Sequence, residues 1–377
     1  MKVFSRQQAI SLKHLKEMFI KHLLLNFLAF IFISSALFFS GCGSFVKTKD
    51  NSRATLLKSE NATEADLLAE VSRYARVNSM RAKMDLKFED NSFAELGIAE
   101  KYRTAPGEIV VQRPANIFLK VQLPVVGSDI AQMTSDGEKF RVAILQDNSG
   151  GKYKKFLLGT NSADYSVLQE QVQKMDLDNG KLIKENVNAF ANLRPQHFTD
   201  AMLMRPVDAA NNLYVQSTIL QEEQNTDVAK KSPLLRVLRG YYLLDEIHKK
   251  DDGTLVVLRR FWFDRVGSVR LARQQIFDAK GEIEADIVYG NTGNLGDGGE
   301  YANLPLQIEV TRPKEKYKMR LTYQAPETVT IGKTFPQAAF VLENTWNLQE
   351  VDLDKKLQET TGRKPADNGT QNAATQK

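Results

Sequence analysis

The sequence predicts a mainly β protein with a few helices, of the α+β class, built on one large antiparallel sheet or barrel. Many short stretches alternate apolar and polar residues, which is the period of a half-buried strand. Turn-forming residues separate these stretches at hairpin spacing. The composition, 42% hydrophobic and 26% charged over 377 residues, is ordinary for one or two globular domains.

The charge distribution does not indicate a nucleic-acid partner. The formal net charge is +5, but +4 of it lies in residues 1–41, where five basic residues face one acidic residue: Lys2, Arg6, Lys13, Lys16, Lys21 and Glu17. The rest of the chain is nearly neutral, so we predict no nucleic-acid partner. A single Cys and 22 Gly exclude the disulfide-rich and collagen-like classes.

Residues 1–41 have the pattern of a bacterial lipoprotein signal peptide. A basic segment precedes a largely apolar stretch, residues 23–39, as in secretory signals. Ser40 and Gly41 then precede Cys42, the single cysteine, an arrangement that resembles the lipobox, in which the thiol is acylated and the chain is cut before it. We therefore expect lipidation at Cys42 and one cleavage directly before it, with Ser40 and Gly41 as the cleavage-site residues. An uncleaved membrane anchor is the alternative, since the apolar stretch approaches the length of a spanning helix.

A lipid on Cys42 would hold the mature chain on a membrane. Gly43 follows the cysteine, where an Asp would retain a lipoprotein in the inner membrane, so we expect the periplasmic face of the bacterial outer membrane, with the inner membrane as the alternative. Residues 42–61 are polar and without periodicity, which predicts a flexible tether.

Residues 62–350 are predicted to form the folded domain. Thr63 is a candidate N-cap of an amphipathic helix, and from Arg81 the period changes to two, which predicts a strand. Further strands are predicted at 108–112, 117–123, 130–134, 140–145, 155–158, 214–220, 241–247, 255–263, 269–277, 283–289, 306–311 and 317–323.

Polar segments interrupt and end this pattern. Stretches near 160–190 and at 221–232 are predicted insertions, and 351–377 has the composition of a disordered tail. Between the two groups of strands, Pro195 suits the first position of a helix, and Phe198, Ala201 and Met202 share one side of it. This short apolar helix is placed to cover the mouth of the sheet.

Three stretches resemble the LolA/LolB superfamily of lipoprotein carriers. They are GEIVVQRPANIF at 107–118, SDGEKF at 135–140 and QQIFDAKG at 274–281. The first two are similar to the family's strand, Arg-Pro turn, strand and Asp-Gly hairpin. The layout of helices and strands is similar over residues 63–349, whereas the specific match covers about thirty residues.

The resemblance implies a half-open, strongly curved antiparallel barrel of about eleven strands with a helical lid. Its concave face would hold the acyl chains of a lipoprotein or lipid, and Arg113, on the family's Arg-Pro pair, would hydrogen-bond the lid shut. An exposed apolar loop would contact the membrane, with Leu123, Val125 and Val126 as candidates. The candidate cavity and lid residues are Met84, Leu86, Phe88, Leu119, Val121, Phe198, Ala201, Met202, Met319 and Leu321. An ordinary core would contain the same residue types.

We predict a non-enzymatic carrier or chaperone in lipoprotein localisation, without cofactor or metal. The sequence leaves its oligomeric state open and favours a monomer. His197 and His248 have no partner at metal-ligand spacing, and the short basic pair Arg259-Arg260 is predicted to lie on a solvated face. A carrier requires an apolar cavity on the order of several hundred cubic ångströms. An envelope sensor or scaffold that binds a protein partner, and a structural lipoprotein with a packed interior, are the alternatives.

Overall fold

The computed structural model describes most of the chain between residues 53 and 362. The described residues are 53–90, 100–101, 104–146, 151, 154–163, 165, 167–168, 195–225, 228–229, 232, 234–297 and 299–362. The predicted signal peptide, Ser40, Gly41 and Cys42 lie outside them, as does most of the predicted insertion near 160–190.

The described residues form a mainly β structure with three α-helices. The strands are β1 (Thr55–Leu56), β2 (Ser79–Asp90), β3 (Glu100–Lys101), β4 (Ala105–Gln112), β5 (Asn116–Gln122), β6 (Asp129–Asp136), β7 (Lys139–Ile144), β8 (Lys155–Thr160), β9 (Asn212–Gln224), β10 (Arg236–Lys249), β11 (Leu255–Asp264), β12 (Arg270–Phe277), β13 (Ile283–Leu295), β14 (Tyr301–Arg312), β15 (Tyr317–Tyr323), β16 (Thr330–Ile331) and β17 (Gln349–Asp352). The helices are α1 (Glu64–Ala75), α2 (Pro195–Met202) and α3 (Leu353–Thr361).

The strands form one continuous sheet that is not closed. An antiparallel ladder runs from β9 through β10 to β15, crosses to β2, and continues through β4 to β8. The short strand β17 pairs with β8 in parallel, and β1 pairs with β10 in parallel. The sheet has 17 strands in the described residues, thirteen in this ladder and four short additions, β1, β3, β16 and β17, so the expected barrel of eleven strands is not confirmed.

Alternation along the strands sorts the two faces of the sheet. In β15, Tyr317, Met319, Leu321 and Tyr323 are buried, and the residues between them are half-buried. The register places Leu321 beside Leu86 of β2. Because successive strand side chains point to opposite faces, this row defines an inner face. One hydrophobic cluster covers it and includes the apolar sides of α1 and α2.

Helix α1 begins at a capping box, and Thr63 is its N-cap, as predicted. The Thr63 hydroxyl accepts from the Asp66 N–H, and the Asp66 carboxylate accepts from the Thr63 N–H at 2.9 Å. Such a box satisfies backbone donors that a helix start leaves unpaired. Leu67, Val71 and Tyr74 are buried, so the helix presents one apolar face to the sheet, where it contacts β12.

Three predicted boundaries differ from the structure. The predicted tether contains β1, whose partner is β10. The predicted insertion at 221–232 begins inside β9, which is paired with β10 as far as Gln224. The predicted tail at 351–377 begins inside β17 and continues into α3, which the Asp352 side chain caps. For β1 and β17 the ordering partner is distant in the chain, whereas residues 221–224 are ordered by the next strand, β10.

Candidate functional site

Helix α2 lies on the inner face of the sheet, where it contacts β4, β5, β6 and β14. Phe198, Ala201 and Met202 are buried, as expected from their shared side, and Phe198 is 0% exposed. Pro195, His197 and Thr199 are buried as well, so little of the helix faces water. Because α2 has only 8 residues, tertiary contacts rather than intrinsic propensity hold it in place.

A small apolar cleft lies between α2, the end of α1 and the sheet. Its volume is about 20 Å³, and its lining residues are Tyr74, Val77, Met80, Ala201, Met202, Met204, Tyr289, Leu295, Leu304, Pro305, Ile308 and Tyr323. That space accommodates one water molecule. In the described residues, this cleft is far smaller than the expected cavity of several hundred cubic ångströms, because α2 and its neighbours fill the inner face.

The walls of this cleft are uncharged but carry hydroxyl groups. Burial raises the pKa of Tyr74 to about 12, and it raises the pKa of Tyr289 further. Among the described residues, the Tyr289 hydroxyl has no hydrogen-bond partner, whereas the Tyr323 hydroxyl donates to the Met80 sulfur at 3.0 Å. The cleft is thus apolar with one unpaired buried hydroxyl at its wall.

Arg113 connects the β4–β5 turn to the backbone behind α2. Its Nη2 donates to the Met204 carbonyl oxygen and lies 3.4 Å from the Ala75 oxygen and 3.5 Å from the Val77 oxygen. Met204 follows the end of α2, Ala75 is the last residue of α1, and Val77 lies two residues beyond it. One guanidinium therefore joins the turn to the ends of both helices, whereas its role in holding a lid shut stays a prediction. Burial, followed by the charge of Arg259, lowers the pKa of Arg113.

The first half of α2 is held by a different contact. A ring nitrogen of His197 is hydrogen-bonded to the Tyr317 hydroxyl of β15, and the other lies 3.8 Å from a Glu315 carboxylate oxygen. The His197 side chain is 1% exposed. The helix is therefore bonded to the sheet at both ends, by His197 near its start and through Arg113 beyond its end.

Arg259 does not lie on a solvated face, which corrects the prediction for the Arg259-Arg260 pair. Arg259 is 2% exposed and is paired with the buried Glu246. Arg260 lies on the other face of β11 and binds Asp245 at 2.6 Å. The signal was present in the sequence, since Arg259 alternates in step with the buried Phe261 and Phe263.

The predicted cavity residues are divided between the cleft and the surrounding core. Ala201 and Met202 line the cleft. The others belong to the hydrophobic cluster without lining it, Leu86 and Phe88 as half-buried members and the rest buried: Met84, Leu119, Val121, Phe198, Met319 and Leu321. Tyr74, Tyr289 and Arg259 were not among the candidates.

The predicted membrane-contact loop projects from the β5–β6 hairpin. Val125 and Val126 are exposed, with values of 106% and 74%, and Leu123 is half-buried. Val125 has φ +74°, a conformation that is an outlier for a β-branched residue. Backbone bonds from Leu123 to Ser128 (2.9 Å) and from Gly127 to Leu123 (3.0 Å) fix the turn. Two adjacent valines are therefore held in water at the tip of an ordered hairpin.

The comparisons with known proteins gave structural neighbours alone. No family model and no curated sequence matches the chain. A LolA superfamily protein from Nitrosomonas europaea is similar at 10% identity and TM-score 0.37, covering 75% of this chain and 99% of its own. A DUF1329 family protein from Desulfovibrio piger has 13% identity and TM-score 0.37, with 75% and 97% covered.

A third neighbour is an outer membrane lipoprotein-sorting protein domain from Vibrio parahaemolyticus, with 10% identity, TM-score 0.36, and 73% of this chain and 97% of its own covered. The function is argued below from the contacts of this chain.

Two further features of the described part of the chain bear on function. None of its helices combines the length and the apolar character needed to cross a membrane. Within the same residues, no group of three or more His, Cys, Asp or Glu side chains is placed to hold a metal ion.

Proposed function

We propose that the protein is a lipid-anchored envelope protein that binds the acyl chains of a lipoprotein or lipid between α2 and the inner face of a half-open sheet. The observation that carries the proposal is the contact of Arg113 with the Met204 carbonyl. Through this contact, one side chain of the sheet holds the backbone behind the helix that covers the apolar face. A cover attached by few polar contacts can be displaced while the sheet stays intact.

The cleft beneath α2 marks where acyl chains would begin to insert. Displacing α2 would add buried apolar side chains of the strands that it contacts, β4, β5, β6 and β14, to the cleft wall. The candidates Leu119 and Val121 lie on β5. Each sheltered methylene contributes about 0.8 kcal/mol, and the flexible Met80, Met202 and Met204 at the wall adapt to chains without a fixed shape. Transfer then follows relative affinity and requires no nucleotide, cofactor or catalytic residue.

In this proposal, a lipid anchor and the exposed loop would hold this activity at a membrane. Acylation of Cys42 would tether the domain to the periplasmic face of the outer membrane, or of the inner membrane in the alternative. Val125 and Val126 would then insert into the lipid surface, because a lipid-facing position shelters side chains that are otherwise in water. The loop and the acyl site together would serve lipoprotein localisation.

The filled inner face favours a second candidate. A cleft of about 20 Å³ is too small for an acyl chain, which fits an envelope sensor or scaffold that uses the sheet to bind a protein partner. In that function α2 stays closed and no lipid is bound.

Native mass spectrometry on a chain starting at Gly43, purified without detergent from a periplasm, distinguishes the two functions. We expect an acylated species to co-purify with the protein. Met202→Gln, which puts a polar amide of similar length into the cleft wall, should reduce the bound fraction about tenfold. Leu255→Gln is the matched control, because Leu255 is 57% exposed on the distant β10–β11 hairpin.

The bare polypeptide mass, together with no binding of a fluorescent fatty acid, would contradict acyl binding and leave the sensor or scaffold function. Equal bound fractions in Met202→Gln and Leu255→Gln would place the ligand elsewhere on the protein. Circular dichroism on both variants verifies that each is folded.

A further inference from the structure

The chain between α2 and β9 is held by more than Arg113. We call residues 203–211 the post-lid segment, since it leaves the end of α2 and enters β9. Met204 is 2% exposed, whereas the side chains of Arg205 and Pro206 face water. The bonds that hold this segment therefore go to its backbone.

Two arginines from different parts of the sheet bind three consecutive carbonyl groups of the post-lid segment. Arg113 binds the Met204 oxygen. Arg259 binds the next two, with Nη1 2.9 Å from the Arg205 oxygen and Nη2 3.1 Å from the Pro206 oxygen. A guanidinium donates several N–H groups in a fixed planar fork, so one Arg259 side chain can hold two carbonyls at once.

The position of Arg259 is itself fixed by buried neighbours. Its Nε donates to the Glu246 carboxylate, and its guanidinium lies 5.0 Å from the centre of the Phe261 ring. Glu246 also accepts from Asn212 at 2.7 Å and from the Tyr214 hydroxyl at 2.9 Å. Each polar group of this cluster thus has a partner, which a buried ion pair requires.

The same cluster fixes the far end of the post-lid segment. Asn212 and Tyr214 are the residues with which β9 begins, and the Tyr214 hydroxyl accepts from the Asp208 N–H at 3.0 Å. Arg113 therefore binds the segment at Met204, near its start. Arg259 binds the next two residues, and Tyr214 binds Asp208 further along the segment. A displacement of α2 that carries the chain behind it must break these bonds.

We propose that Arg259 is a second positioning residue of the lid, which acts with Arg113 to hold the post-lid segment and so keeps α2 closed. The proposal rests on the proposed function in taking α2 as the mobile cover. We call the contacts of Arg259 with Glu246 and with the post-lid segment the latch, which adds a contact from β11 to the one that Arg113 makes from the β4–β5 turn. Glu246 orients the Arg259 guanidinium toward the segment, and Phe261 supports its plane.

The structure supplies a matched control for this pair. Glu246 and Arg259 are direct partners in the β10–β11 register, and so are the adjacent Asp245 and Arg260. Asp245 and Arg260 form a bidentate ion pair on the other face of the same two strands. Replacing either pair removes one cross-strand ion pair, whereas only the first pair touches the post-lid segment.

The experiment compares hydrogen exchange in the full chain in lipid nanodiscs. The variants are Arg113→Gln, the double variant Arg259→Gln/Glu246→Gln, and the control Arg260→Gln/Asp245→Asn. The double variant avoids leaving a buried carboxylate unpaired, and Glu246→Gln alone, which retains the guanidinium, tests the carboxylate separately. We expect amides of residues 197–205 to exchange at least about tenfold faster in both lid variants, and within about twofold of the native rate in the control.

Equal exchange of residues 197–205 in the Arg259→Gln/Glu246→Gln variant and in the control would overturn the role of Arg259. So would faster exchange spread equally over β10 and β11, because that result indicates strand support rather than a lid contact. Combining Arg113→Gln with the double variant should accelerate exchange by more than either alone.

A photoreactive fatty acid, applied to the same samples, separates this inference from the proposed function. Adducts on inner-face peptides that increase in the lid variants support both. If no variant forms adducts while exchange at 197–205 responds as expected, the latch stands and acyl binding fails. If adducts form but Arg259→Gln/Glu246→Gln matches the control in both measurements, acyl binding stands and the latch fails.

Discussion

Val125 combines backbone strain with full exposure. A left-handed conformation costs an L-residue about 1–2 kcal/mol, and the Val125 side chain gains no packing in return, since it is 106% exposed at φ +74°. Strain of this kind persists where the surrounding structure determines it and is concentrated at functional sites. The bonds of the β5–β6 turn impose the conformation, which is consistent with a side chain kept for contact outside the domain.

We predict that Val125→Gly stabilises the domain and weakens its membrane contact. Glycine adopts a positive φ without steric cost, so the free energy of unfolding should rise by about 1 kcal/mol in urea titrations. Loss of the side chain should lower vesicle binding of the chain starting at Gly43 about tenfold, since burying a valine contributes about 1.5 kcal/mol. Val126→Ser is the control for contact without strain, and it should lower vesicle binding without the gain in stability. Unchanged vesicle binding in both variants would exclude the loop as a contact.

Among individual residues, Arg113 and Arg259 differ in how far the sequence predicts their position. Arg113 was found because a local Arg-Pro motif marked it. Arg259 was assigned to the wrong face, although its alternation with Phe261 was readable, because adjacent arginines are usually solvated. That Glu246 lies opposite it depends on the β10–β11 register, which joins positions separated by a hairpin and a bulge.

At the scale of elements, the sequence predicted those strands and helices whose residues show alternation or helical spacing. Strand β15 was predicted with its observed bounds, and α2 with its buried side, since alternation and helical spacing are properties of adjacent residues. The polar segments β1 and β17 were missed because their order comes from parallel partners far away in the chain. A sequence shows which residues can form a strand, whereas a distant partner decides whether a short polar one does.

The Glu246–Arg259 ion pair between β10 and β11 also predicts how the stability of the domain changes at acidic pH. Glu246 is buried, which opposes ionisation, yet the charge of Arg259 and the hydrogen bonds of Arg259, Tyr214 and Asn212 hold its pKa below its ordinary value. A carboxylate with a lowered folded-state pKa contributes stability above its unfolded pKa, and this contribution is lost as the pH falls through the folded-state pKa.

We therefore predict that stability falls more steeply below about pH 4.5 in the native protein than in Glu246→Gln. The difference in slope corresponds to at most about one proton and is measured from urea midpoints between pH 7 and 3. Asp245→Asn, on the other face of β10, is the control variant. Parallel pH profiles for the native protein and Glu246→Gln would contradict the prediction.

At the scale of the whole molecule, the two ends of the ladder differ. At one end lies β9, a 13-residue strand that pairs with β10 alone in the described residues and exposes Leu213 and Leu220. At the other end, β8 is covered by the short, polar β17. Unpaired strand edges are templates for association, and short charged edge strands limit it.

Helix α3 attaches this cover to the sheet. Its buried Leu357 joins the hydrophobic cluster, and the Asp354 carboxylate accepts from the Thr160 hydroxyl at 2.7 Å and from the Tyr165 hydroxyl. The C-terminal residues 349–362 therefore close the edge that β8 would otherwise expose, which is a structural role for a segment whose composition suggested disorder.

We predict that ending the chain after Leu348 destabilises the domain and makes it self-associate, whereas ending it after Gly362 does neither. The shorter chain loses the parallel pairing of β17, the Asp354 bonds and the burial of Leu357, together about 3 kcal/mol. It also leaves one edge of β8 without a partner strand, beside the buried Phe156 and Leu157. Urea unfolding measures the first effect, and sedimentation velocity over a range of concentrations measures the second.

If both truncated chains remain as stable and as monomeric as the native protein, β17 and α3 do not protect the edge. If the chain ending after Leu348 is less stable but stays monomeric, the loss of packing alone explains the result and the edge of β8 is harmless.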